Sequence, residues 1–174
     1  MASVGRDSGL GDSKYSPVTA EGEFTVFYER WRSPVRRGLA MALGDVVLAD
    51  EAVDEALTRA LAHWDKVRDY ERPDGWLYRV GLNWARGTFR KRRYELLSDL
   101  EPDSHSSHDP LPDPDLLEAV GHLSVRLRSV VVARYYLDLS TSEVAEALEI
   151  PEGTVKSRLS RALNRLAREL GDPS

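Results

Sequence analysis

The chain has no cysteine, which excludes disulfides and thiolate metal sites and fits a reducing cytoplasm. It has no apolar run near the ~18 residues that span a bilayer, so membrane insertion is not expected. Its opening residues, MASVGRDSGLGDSKYSP, lack the apolar core of a signal peptide. Rich in Gly and Ser, they read as a disordered leader over residues 1–20. A basic balance is missing too. The formal charge is -5, so any contact with nucleic acid must come from local basic patches. Alternating strand-like runs of useful length are lacking. So are a nucleophile–base pairing, a Gly-rich phosphate loop and a metal-ligand cluster. An enzyme, a cofactor and a bound metal are therefore not expected. His105 and His108, in HSSH, sit among prolines and read as linker rather than ligands.

What is present is helix almost throughout, so the expected fold class is all-α. A first block covers residues 21–97, with helices over about Glu23 to Leu43 (bent at Ser33–Pro34), Leu48 to His63 and Asp74 to Tyr94. In the second helix Val53, Ala56, Leu57, Ala60, Leu61 and Trp64 form the apolar side, and Glu51, Asp54, Glu55 and Thr58 the polar one. The four tryptophans, Trp31, Trp64, Trp76 and Trp84, all lie in this block and are expected to build its core. Residues 98–114, SDLEPDSHSSHDPLPDP, carry four prolines, five acids and no Lys or Arg. Such a segment cannot bury enough apolar surface to fold alone. A second block spans residues 115–171. Two small helical domains on a flexible acidic linker are the expected architecture.

The second block ends in a helix-turn-helix (HTH) pattern. Thr141 to Leu148 is the first helix, and Ser140 with Glu143 forms a capping box before it. Val144, Leu148, Ile150, Val155 and Leu159 supply a shared core, and Ala145 is small where the helices cross. After the turn Glu149–Ile150–Pro151, the apolar stripe Val155, Leu159, Ala162, Leu163, Leu166 and Leu170 recurs at helical spacing. The opposite face offers Gly153, Ser157, Ser160 and Arg161, flanked by Lys156 and Arg158. Short polar side chains near the start and long cations further along suit a recognition helix in a major groove.

A second basic surface lies in the first block. Arg79, Asn83, Arg86, Arg90 and Arg93 are spaced 4, 3, 4, 3 and share one helix face. From Trp76 to Tyr94 there are six cations and no acid, a repulsive arrangement that an anionic partner would relieve. The loop before it, Asp65 to Pro73, mixes Lys66, Arg68 and Arg72 with Tyr70. Cations beside an aromatic suit unstacked bases.

The segment LSTSEVAEALEIPEGTVKSRLSRALNRL resembles domain four of a bacterial sigma factor. WLYRVGLNWARGTFRKRR, preceded by ADEAVDEALTRALAHWD, resembles domain two. Their order and the short linker are similar to the extracytoplasmic function (ECF) type of the sigma-70 family. That resemblance implies an initiation subunit that binds core RNA polymerase, recognises the -35 and -10 promoter elements and assists melting. It implies -35 contacts for Arg134, Thr154, Lys156, Ser157, Arg158, Ser160 and Arg161. It implies -10 and melting contacts for Lys66, Arg68, Tyr70, Arg72, Arg79, Asn83, Arg86 and Arg90, with a flipped base near Asn83. Asp50, Glu51, Asp54, Glu55 and Thr58 would meet the polymerase clamp, and an anti-sigma factor is a further candidate partner. Pro151 departs from the family, standing where many relatives have a capping Ser. Two rivals stay open on the residues alone: a dimeric HTH regulator of duplex DNA, and an adaptor that mimics a sigma factor without binding DNA.

Overall fold

The computed structural model describes residues 17–95 and 114–171, and among them every ordered element is helical. The all-α expectation holds. The leader and linker assignments lie outside the described residues, apart from Pro17 to Ala20 and Pro114, which are already helical.

α1 (Pro17–Leu43) stays helical through Pro34. It ends at Gly44, whose φ of +72° supplies the left-handed step that commonly closes a helix. The next residue caps α2 (Val46–Ala62): the Asp45 carboxylate accepts a bond from the Leu48 amide at 2.8 Å. α2 buries Leu48, Ala49, Ala52, Val53, Ala56, Leu57 and Ala60. Small alanines on this face let α1 and α4 approach closely. Each fully buried leucine or valine here contributes about 1.5–3 kcal/mol.

α3 (Trp64–Val67) is a single helical turn inside the stretch expected as loop. Its Trp64 explains the departure, since the indole packs edge-on against Phe24 and Phe27 of α1 at 5.2 and 5.1 Å. Of the other tryptophans, Trp31, Trp76 and Trp84 are only partly buried against the core. α4 (Pro73–Glu95) crosses α1 and α2 at Gly81, where a Cβ would stand 2.7 Å from Leu39 Cδ1 and 3.2 Å from the Ala52 carbonyl.

The second block comprises α5 (Pro114–Gly121), α6 (Val125–Val131), a π-helical turn (Val132–Tyr136), α7 (Thr141–Leu148) and α8 (Glu152–Glu169). Leu123, Val131, Ala162 and Leu166 form a small core of their own. Two leucines of the expected α8 stripe are corrected: Leu163 and Leu170 are exposed. They lie at the stripe's edge and beyond the last turn, where no helix among the described residues reaches. Leu61 of α2 is likewise exposed rather than core.

The two blocks pack against each other. Leu77, Tyr78 and Leu82 of α4 share one hydrophobic cluster with Val130, Ala133, Leu139, Val144 and Ala147 of the second block. Tyr78 is fully buried and its hydroxyl donates to the Ser129 carbonyl at 3.3 Å. Burial pushes that phenol well above the usual tyrosine range. Arg128 reaches back to the Leu43 carbonyl at 3.3 Å. Burial draws its guanidinium down, and its buried Nε has no hydrogen-bond partner among the described residues.

Candidate nucleic-acid interface

The HTH forms as its residues dictate. Ser140 Oγ accepts the Glu143 amide at 3.2 Å, while Glu143 Oε2 accepts the Ser140 amide at 2.6 Å. Both halves of the capping box are therefore closed. The Ser140 amide and, next, its hydroxyl, with Arg72 nearby, hold the Glu143 carboxyl below the usual range. α7 ends at Glu149, a non-glycine residue in the left-handed region (φ 54°). Pro151 then caps α8 without a side-chain bond, and its carbonyl accepts the Thr154 and Val155 amides at 2.8 and 3.1 Å. The missing capping Ser leaves the start of α8 intact, because the proline's fixed φ suits the position.

α8 shows its polar face to solvent. Lys156 is 70 % exposed, 3.9 Å from Glu152, and Ser157, Ser160 and Arg161 are exposed. Ser157 donates to the Thr154 carbonyl at 3.0 Å, and Thr154 is half-buried. Arg158 is also half-buried, so desolvation lowers its pKa, and repulsion from Arg126, Arg86 and Arg161 adds to the effect. Arg86 belongs to α4, so cations of both blocks share one field. Arg134 sits in the π-helical turn, donates to the Leu139 carbonyl at 3.3 Å and stacks over Tyr135 at 5.7 Å. It is braced against the segment that leads into α7.

The other basic surface is differently placed. Asn83 and Arg86 are exposed on α4, and Lys66 is exposed on α3. The side chain of Arg90 lies outside the described residues. Arg68 is held by Glu23 of α1 at 3.0 Å. Tyr70 is 41 % exposed and lies 6.0 Å from the Trp76 ring. Arg72 and Arg79 face the second block. Arg72 clasps buried Asp74 with two bonds (3.1 and 2.8 Å) and continues to the Leu137 carbonyl (2.7 Å), the Asp138 carbonyl (3.3 Å) and Glu143 Oε1 (3.1 Å). The Asp74 bond is the main reason its pKa rises. Arg79 donates to Glu149 at 3.0 Å. Tyr70, Arg72, Trp76, Arg79, Glu143 and Glu146 line a cleft of about 440 Å³ at this junction.

On α2 the acidic residues assigned to a polymerase contact already have neighbours. Asp54 pairs with Arg32 at 3.1 Å, Asp50 with Arg36 at 3.5 Å and Glu55 with Arg59 at 2.7 Å. Thr58 donates to the Asp54 carbonyl at 2.8 Å, and Glu51 is half-buried. Val47 and Leu61 share the face of Glu51, Asp54 and Thr58, and are 52 % and 53 % exposed. Sequence reading missed these two apolar ends. It also missed Glu143 and Glu149 as partners of the first block. A glutamate at the left-handed C-terminal position, where glycine is usual, was the available signal.

Residues 114–166 match the family model "Sigma-70, region 4". The RNA polymerase sigma-E factor of Streptomyces avermitilis is 34 % identical over 152 residues, covering 85 % of both chains. The ECF RNA polymerase sigma factor SigL of Mycobacterium tuberculosis is 33 % identical over 153 residues, covering 81 % of this chain and 84 % of its own length. Among solved structures, the sigma factor RpoE from Bartonella quintana, crystallised with the anti-sigma factor NepR, superposes with a TM-score of 0.75. That match covers 87 % of this chain and 99 % of that one at 23 % identity, a likeness of fold. Identity above three in ten over most of both chains goes beyond a shared fold, and the chain belongs to the ECF sigma factors of the sigma-70 family.

Proposed function

We propose that this chain is a transcription initiation subunit whose first block (21–97) binds core RNA polymerase and the -10 element, and whose second (115–171) binds the -35 element, with residues 98–114 between them. The observation that carries this is two separate DNA-suited surfaces on one chain. α8 offers Lys156, Ser157, Ser160 and Arg161 to a major groove. α4 and the preceding loop offer Arg72, Arg79, Asn83 and Arg86, beside the aromatics Tyr70 and Trp76. Arg134, held by the Leu139 carbonyl ahead of α7, suits a phosphate rather than a base.

Melting a promoter costs a few kcal/mol for each flipped base. Stacking on Tyr70 or Trp76 and a hydrogen bond from Asn83 would offset that cost. The polymerase supplies the chemistry; this chain supplies promoter choice and strand separation. On α2 the stripe Val47, Glu51, Asp54, Thr58 and Leu61 is the polymerase contact, with acids in the middle and apolar residues at both ends. Membership of the sigma family disfavours a dimeric HTH repressor and a DNA-free adaptor.

Run-off transcription with purified bacterial core polymerase and genomic promoter fragments tests the reading. New discrete transcripts that depend on this protein are expected. Specific duplex binding without core binding would overturn it.

A further inference from the structure

We infer that Tyr135 is a positioning residue for promoter binding: its ring, and the π-helical turn that carries it, hold the Arg134 guanidinium with one edge free for a backbone phosphate of the -35 duplex. This rests on the assignment of Arg134 to the -35 element under Proposed function. What is added is the seat that aims it.

Tyr135 contributes little to the core. It is 59 % exposed, while Val132 and Ala133 of the same turn are buried in the shared cluster and Tyr136 lies over Gly38 of α1. The ring contact that Tyr135 makes among the described residues is with Arg134, whose Cζ stands 5.7 Å from the ring centroid. That distance is within the range of a cation–π attraction.

The backbone explains how two consecutive residues meet. On an ordinary α-helix neighbouring side chains diverge. Here the Leu137 amide donates to the Val132 carbonyl at 3.0 Å, five residues back. More residues share each turn of such a helix, and the angle between neighbouring side chains narrows. The same segment fixes a second anchor. The Leu139 amide donates to the Ala133 carbonyl at 3.1 Å, and the carbonyl of this fully buried leucine accepts Arg134 Nη1 at 3.3 Å. Asp138 Oδ1 lies 3.8 Å from the same nitrogen, but its side chain is 97 % exposed, and so exposed a pair contributes little.

Nη1 is therefore the engaged nitrogen. Nε and Nη2 make no hydrogen bond among the described residues. Their N–H groups form the edge that grips a phosphate through two parallel bonds. A guanidinium already fixed by a carbonyl on one nitrogen and a ring on one face has less rotamer freedom to lose on binding.

The test uses the full chain and a labelled duplex carrying the -35 half of the promoter that gives the strongest run-off transcript, at one fixed low salt concentration. Affinity is measured by anisotropy for Tyr135→Ala, Tyr135→Leu, Tyr135→Phe and Arg134→Ala, and for Tyr135→Ala combined with Arg134→Ala. Thermal melting should be the same in all of the Tyr135 variants, because the ring is mostly outside the core.

A cation–π stack at an exposed site corresponds to about a two- to fivefold change in affinity. Tyr135→Ala should weaken duplex binding by that factor. Tyr135→Phe keeps the ring and should bind as wild type does. Tyr135→Leu keeps apolar bulk without a π face and should bind as the alanine variant does. In the Arg134→Ala background, Tyr135→Ala should cause no further loss. Wild-type affinity in Tyr135→Leu would overturn the stacking. A loss of the same size with and without Arg134 would show that Tyr135 acts on its own, and would overturn the positioning role. Arg134→Ala separates this inference from the reading beneath it. If it leaves binding unchanged, the -35 assignment of Arg134 fails and the seat fails with it. If it weakens binding while Tyr135→Ala does not, the assignment stands and the seat alone falls.

Discussion

Glu143 serves two elements at once: one carboxylate oxygen accepts the Ser140 amide at 2.6 Å, and the other accepts Arg72 from the opposite block at 3.1 Å. The cap of the first HTH helix and the junction between the blocks therefore depend on one ionised group.

That dependence gives a pH prediction. The folded carboxyl titrates below the unfolded one, because the Ser140 bonds and Arg72 favour its charge. Its stabilisation is complete above the ordinary Glu range and disappears as pH falls through the depressed folded value. Glu143→Gln keeps the capping geometry but loses the charge. The stability difference between wild type and this variant, from urea midpoints, should be constant near neutrality and shrink between about pH 5 and pH 3. A difference that stays constant to pH 3 would contradict the assignment.

Lys156→Ala with Arg161→Ala should weaken -35 duplex binding and lower the salt dependence, with a slope smaller by about two if both touch phosphate. Both side chains are exposed, so folding should be unaffected. Core polymerase binding, measured by fluorescence anisotropy, should not change. Loss of core binding would show that α8 serves the polymerase instead.

Asp54→Arg should impair core binding without altering the HTH. Asp54 is exposed and pairs with Arg32 at the surface, and such a pair contributes about 0–1 kcal/mol. A fall in affinity without a matching fall in melting temperature would place Asp54 at the interface. Leu61→Ser should act in the same direction, because an apolar side chain 53 % exposed on that face has no folding role to lose. Unchanged affinity in both would remove this stripe from the polymerase contact.

Much of this was legible in the sequence, and the legible parts share a cause. Local rules act within one helix or turn: the capping box at Ser140 and Glu143, the α7 boundaries at Thr141 and Leu148, and the spacing of Val155, Ala162 and Leu166 all follow from neighbours in sequence. What was not legible depends on distant residues. Nothing near Arg72 announces that its guanidinium reaches Glu143, 71 positions later. Leu61 looked like core because its spacing matches Leu57 and Ala60, but among the described residues no helix covers that side of α2. The π-helical turn at Val132 to Tyr136 also has no pattern in its residues. The proposed -10 surface was readable as a charge row, and its partial occupation by the second block was not.

Gly81 offers the sharpest test of the packing that positions the α4 row. It lies on the face of α4 opposite Asn83 and Arg79, turned towards α1 and α2. A methyl group there would stand 2.7 Å from Leu39 Cδ1 and 3.2 Å from the Ala52 carbonyl. Leu39 is fully buried and cannot swing away without disturbing the core, and the carbonyl is fixed in the α2 ladder. Helix propensity alone would favour alanine by about 1 kcal/mol. Overpacking costs typically 1–3 kcal/mol, so the two effects oppose and the steric one should win. Gly81→Ala is expected to lower stability by about 1–2 kcal/mol in urea unfolding. At Gly87, where a Cβ meets nothing within 4 Å, the same substitution should stabilise instead. If both alanines stabilise, α4 does not rest on α1 and α2 at Gly81, and the placement of Arg79, Asn83 and Arg86 on one exposed row loses its support.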